Sequence, residues 1–152
     1  MDIDLAAAQP HNNRHNKYLN ILRKIADDVL PVSSSKIASA IVIGNEIVSI
    51  GINSMKSHPF QKKYSRNPSS IYFHSETNAI FNALKRVHEY ELKRAILYIF
   101  RIKYDSSMIN KRKKIWGKSF PCEGCRKCIN AFGIKKVIYT LEGVGNYGEI
   151  SI

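Results

Sequence analysis

Cys122, Cys125 and Cys128 are the only cysteines of the chain, and all three fall inside "KSFPCEGCRKCI". Thiols at three-residue spacing suit a redox pair, a cluster cradle, zinc ligation or plain packing. A histidine and a carboxylate stand together far upstream, in "HSE" at His74 to Glu76. Zinc favours neutral imidazole and thiolate ligands, and a catalytic site keeps one position open for water. His74, Cys122 and Cys125 supply three such ligands. A Cys-x-x-Cys across the first turn of a helix brings both sulfurs to one metal, where the exposed N–H groups also favour thiolate. Glu76, two residues after the histidine, is too close for a natural fourth ligand and is placed to face the water. Cys128 lies one further turn along and reads as a small buried thiol packing its helix against a sheet.

The elements that must position these residues follow from periodicity. Residues 1–14 are polar and are expected to form a flexible tail, with 15–152 a single domain. "NKYLNILRKIADDVL" repeats apolar residues at Leu19, Leu22, Ile25 and Val29, an amphipathic helix ending before Pro31. "KIASAIVIGNEIVSIGIN" reads as a hairpin about Gly44-Asn45, and "MKSHPFQKKYSRNPSS" as a loop. "SETNAIFNALKRVHEY" is helical, with a stripe at Ala79, Ile80, Ala83, Leu84 and Val87. "RAILYIFRI" is a buried strand, followed by a basic loop through Ser119. "CEGCRKCINAF" is a short helix stopped by Gly133, and "KKVIYT" a strand. The order α-β-β-α-β-α-β predicts a mixed sheet with helices on both faces and a parallel strand-helix-strand unit.

Composition narrows the class. Ordinary hydrophobic (44%) and charged (24%) fractions indicate a globular domain. No apolar run approaches a membrane span, the N-terminus is not a secretory signal, and clustered cysteines argue against a disulfide framework. A cytoplasmic setting is expected. The net charge of +12 suits an anionic partner, either a nucleotide or a polynucleotide. Only "KRKK" at 111–114 concentrates it, and such runs are commonly solvated.

H-x-E followed by P-C-x-x-C is the signature of zinc-dependent base deaminases. The chain resembles the cytidine and deoxycytidylate (dCMP) deaminase superfamily over roughly Ile37 to Thr140. "HSETNAI" is similar to the dCMP-type H-A-E-x-N-A-I, with Ser75 replacing alanine. "FPCEGCRKCINAFGIKKVIY" resembles F-P-C-x-x-C followed by G-I-K-x-V-I, and "GIN" at Gly51 to Asn53 resembles G-Y-N. The chain departs from the family in "SMKSHPF" after that asparagine, in a longer, more basic 101–119 loop, and in a short C-terminus.

The resemblance implies a three-layer α/β/α cytidine-deaminase-like fold with a mixed sheet of about five strands. It implies Zn2+ on His74, Cys122 and Cys125, and hydrolytic deamination of a cytosine nucleotide by zinc-activated hydroxide. Glu76 is the proton shuttle, and dCMP to dUMP is the leading reaction. Asn53 is expected on the sugar, and the backbone at Phe120 and Pro121 on the exocyclic amine. Asn78 either faces the ligand or is a polar residue of the first helical turn, and His58 falls where the pocket mouth is expected. His88 is a solvated helix residue. The partner is then a small cytosine nucleotide, with nucleic acid less favoured and a homo-oligomer expected. The alternatives are a polynucleotide deaminase, acting on cytosine in DNA or RNA or on adenosine in tRNA, and a structural zinc module that only binds nucleic acid. Glu76 argues against the last, since a closed structural site has no use for it.

Overall fold

Strand alternation in a computed structural model explains where the helices sit. The structure describes residues 5–8, 13–29, 35–65, 72–104 and 113–152. Strands β1 (Lys36–Ile43) and β2 (Glu46–Ile52) form the expected hairpin. Gly44 takes the left-handed turn conformation at φ 64°, which glycine adopts without steric cost. β3 (Ala95–Tyr104) lies at the centre and pairs antiparallel with β1 along its length. Its other edge is shared. Ile96 to Ile99 pair in parallel with β5 (Lys136–Thr140), whereas Arg101 to Tyr104 pair antiparallel with β4 (Lys114–Gly117). β6 (Tyr147–Ser151) closes the far edge on β5, giving a six-stranded mixed sheet in the order β2-β1-β3-β5-β6 with β4 beside β3.

Side chains one apart on a strand face opposite ways. Ala38, Ala40, Val42, Tyr98, Phe100 and Ile102 therefore pack against α1 (Arg14–Asp27), joining its Tyr18, Leu19 and Leu22. Ile41, Leu97, Ile99 and Val137 face the other way, against α3 (Ser75–Ala83) and α4 (Glu123–Ala131). Helices thus cover both faces, as expected. α1 starts where the Asn13 side chain accepts from the N–H groups of His15 and Asn16.

Five segments differ from the sequence reading, the first being the helix expected over 75–90, which ends at Ala83 so that Leu84, Val87 and His88 lie beyond it. Residues 5–8 are packed rather than loose: Leu5 and Ala8 are buried, and Asn20 hydrogen-bonds both the N–H and the carbonyl of Ala8. Residues 1–4 and 9–12 of the expected tail lie outside the described residues. The basic loop is partly sheet, with Trp116 of β4 buried edge-on against Phe100 and its indole N–H donating to the Ala6 carbonyl at 2.8 Å. The first two residues of "KRKK" belong to 105–112, which lie outside the described residues, while its last, Lys114, pairs with Asp27 at 2.8 Å. The loop before the second helix contains α2 (Pro59–Tyr64), and the C-terminal segment carries β6. No helix among the described residues is long and apolar enough to cross a membrane.

Candidate active site

His74 is the N-cap of α3 and Cys122 the N-cap of α4, both in extended backbone. The two helices lie on the same face of the sheet, and their first turns bring the three candidate ligands together. His74 Nδ1 lies 3.3 Å from Cys125 Sγ and 3.6 Å from Cys122 Sγ, and all three atoms fall within 4.8 Å of one another. A tetrahedral zinc with its usual bond lengths separates nitrogen from sulfur by about 3.5 Å. The donor set and its spacing fit that ion.

Protons are shared unevenly among these groups. Cys122 is pushed down to about 4, first by the hydrogen bond from Cys125 and then by that with His74, against the opposing effect of burial. Cys125, fully buried, is held well above the usual thiol range, first by its bond to Cys122 and then by desolvation. The hydrogen bond to Cys122 raises His74 against desolvation. Cys122 is then already a thiolate at neutral pH, whereas Cys125 must lose its proton to bind a metal, so loading is coupled to proton release.

Glu76 follows in the first turn of α3, 6% exposed, and lines a cavity of about 370 Å³. His74, Cys122, Asn53, Phe73 and Phe120 share that wall. The volume lies in the range of small-ligand pockets, about 300–1,000 Å³. Two of the three candidate ligands, the carboxylate and the cavity therefore meet in one place.

The remaining candidates divide. Asn53 reaches the cavity, but its side chain also accepts from Ile37 N–H at 2.9 Å and donates to the Ser35 carbonyl at 3.1 Å. Phe120 stands at the mouth, exposed and edge-on to Tyr139. Among the described residues, neither Pro121 nor Asn78 lines the cavity; Asn78 Oδ1 instead accepts from Ile52 N–H at 2.9 Å, tying α3 to β2. His58 caps α2 by accepting from Phe60 N–H and stacks on Phe73 at 4.3 Å. His88 precedes a 3-10 helix (Glu89–Arg94) and stacks on Tyr90.

Sequence reasoning missed the residues that hold the ligands in place. Gln61 of α2, 1% exposed, accepts at Oε1 from His74 N–H at 3.0 Å and from the Thr77 hydroxyl. Ser119 and Thr140 tie the strand ends just before Phe120: Thr140 N–H donates to Ser119 Oγ at 2.8 Å, and Ser119 N–H to the Thr140 carbonyl at 2.9 Å. Gly51 was legible only as part of "GIN". A Cβ there would lie 2.2 Å from the Ser75 carbonyl oxygen, so α3 rests on bare backbone.

A family model described as the cytidine and deoxycytidylate deaminase zinc-binding region matches residues 12–141. It therefore includes α1, upstream of the stretch where the motifs lie. No curated protein matches the sequence. Among solved structures, the dCMP deaminase from the cyanophage S-TIM5 in apo form aligns with a TM-score of 0.52 and 20% identity. The alignment covers 83% of this chain and 81% of that one, and at this identity it speaks for the fold.

Proposed function

The chain belongs to the cytidine and deoxycytidylate deaminase family, and from that premise we propose that it converts dCMP to dUMP, with Glu76 carrying the protons. It is a zinc-dependent hydrolase of the deaminase type, and His74, Cys122 and Cys125 are positioned to bind the metal. The observation that carries the proposal is the grouping of these three ligands beside a cavity whose wall holds His74, Cys122 and Glu76.

Zinc, when bound, lowers the pKa of water from 15.7 to about 7, making a nucleophile available at neutral pH. Glu76 takes a proton from water and delivers it to ring nitrogen 3 of cytosine. The water oxygen bonds to carbon 4, and Glu76 then moves the remaining proton of that oxygen to the exocyclic amine, which leaves as ammonia as its bond to carbon 4 breaks. Asn53 retains one N–H and one oxygen lone pair beyond its two backbone bonds, enough to engage the sugar. The backbone carbonyl of Phe120, a residue that lines the cavity, accepts from the exocyclic amine in this reading.

A charged substrate is supported by cations at the mouth. Arg126 lies 5.2 Å and Lys118 5.9 Å from the Phe120 ring, and both are exposed. They leave a nucleotide phosphate a favourable approach. The test is deamination of cytidine, deoxycytidine, dCMP, dCTP and single-stranded oligonucleotides by one preparation. The proposal expects dCMP to have the highest kcat/KM; an oligonucleotide deaminated as fast would overturn it.

A further inference from the structure

Ser75 stands where the dCMP-type motif carries alanine, and its hydroxyl is engaged. The side chain is fully buried, and its Oγ donates to Glu76 Oε1 at 2.6 Å. The same oxygen lies 2.7 Å from the hydroxyl of Ser39, which is also fully buried, in the middle of β1.

An ionised carboxylate only accepts hydrogen bonds. Ser75 must therefore spend its one proton on Glu76, which leaves its lone pairs to accept from Ser39. The donors run one way, from the sheet through the start of α3 to the carboxylate. Ser39 is a firm end for that chain, because β1 is paired on both sides, with Gly51 and Ile99 opposite it. The 2.6 Å contact has the length of a charge-assisted bond.

We propose that Ser39 and Ser75 are positioning residues that pin Oε1 of Glu76 to the sheet and commit its other carboxylate oxygen to the cavity. Without them, the carboxylate can turn about its last torsion, which is broad in glutamate. The inference rests on the reading of Glu76 as the proton carrier.

Ser39→Ala, Ser75→Ala, the double variant and Glu76→Ala test it, with zinc content measured for each and kinetics run on the best nucleotide substrate. Ser75→Ala is expected to lower kcat about tenfold with KM within about twofold, a barrier increase of about 1.4 kcal/mol. Ser39→Ala is expected to lower kcat about threefold, and the double variant to be no slower than Ser75→Ala, because the two act through one contact. Denaturant unfolding of the zinc-free proteins should show the same non-additivity, independently of turnover.

Additive effects of the two serines, or unchanged kcat in zinc-loaded Ser75→Ala, would overturn the proposal while an inactive Glu76→Ala left the proton-carrier reading standing. An active Glu76→Ala would remove that reading itself. Should Ser75→Ala fail to fold, Ser39→Ala decides alone, and an unchanged kcat there would refute the pinning.

Discussion

Cys122 and Cys128 share one helix and live in opposite surroundings. Cys122 sits at the N-cap, where hydrogen bonds from Cys125 and His74 push it down to about 4. Cys128, fully buried in the core with Ile129 and Ile134, is pushed up to about 12 by burial. Cys122 and Cys125 group with His74 within 4.8 Å whereas Cys128 packs in the apolar core, so the triplet divides into a pair and a bystander. One substitution applied to all three separates the roles. Cys122→Ser and Cys125→Ser are expected to purify without stoichiometric zinc. Cys128→Ser should keep its zinc and lose about 1–2 kcal/mol of stability, because it buries a hydroxyl in an apolar site. Metal analysis and denaturant unfolding read these outcomes.

Glu76 is placed by the meeting of α3 with β2 as much as by its own helix. Ser49 donates to the Ala79 carbonyl at 2.7 Å, and Asn82 to the Ile50 carbonyl at 2.9 Å, so side chains stitch the helix to the strand. Gly51 lets the two backbones touch: a Cβ would lie 2.3 Å from Ala79 N. Gly51→Ala is expected to displace the first turn of α3, lowering kcat at least about tenfold and stability by about 1–3 kcal/mol. Kinetics and denaturant midpoints check both. Elements of this kind were legible where their own sequence carries the pattern: the Gly44-Asn45 hairpin, α1, and the two helices that begin at His74 and Cys122. β4 and β6 were not, because each is short and stabilised by its partner strand and by neighbours such as Phe100 and Ala6. Leu5 and Ala8 were hidden for the same reason, since their short apolar run "LAAA" has no period of its own and gains meaning only beside Asn20 and Arg23. The metal ligands were legible because their chemistry is written in residue type and spacing. The polar supports Gln61, Ser39 and Thr140 were not, since a buried hydroxyl or amide carries no sequence period.

Across the whole molecule, the net charge is +12, and the cavity beside Glu76 lies in that field. Such a field draws anions and is screened by salt, with a Debye length of about 30 Å at 0.01 M and about 8 Å at 0.15 M. Over that range kcat/KM for dCMP should fall, while uncharged deoxycytidine should change little; equal salt response would rule out steering of the phosphate. The whole fold also explains why sites far apart in sequence meet, for β3 and β5 run parallel and deliver α3 and α4 to the same face. The central claim is that this meeting point separates metal holding from proton transfer. Zinc content and dCMP turnover measured together on Glu76→Ala test it most directly. The account predicts one zinc per chain, as in wild type, and turnover lower by about 10²–10⁴. Turnover near the wild-type rate, or loss of the zinc, would contradict it.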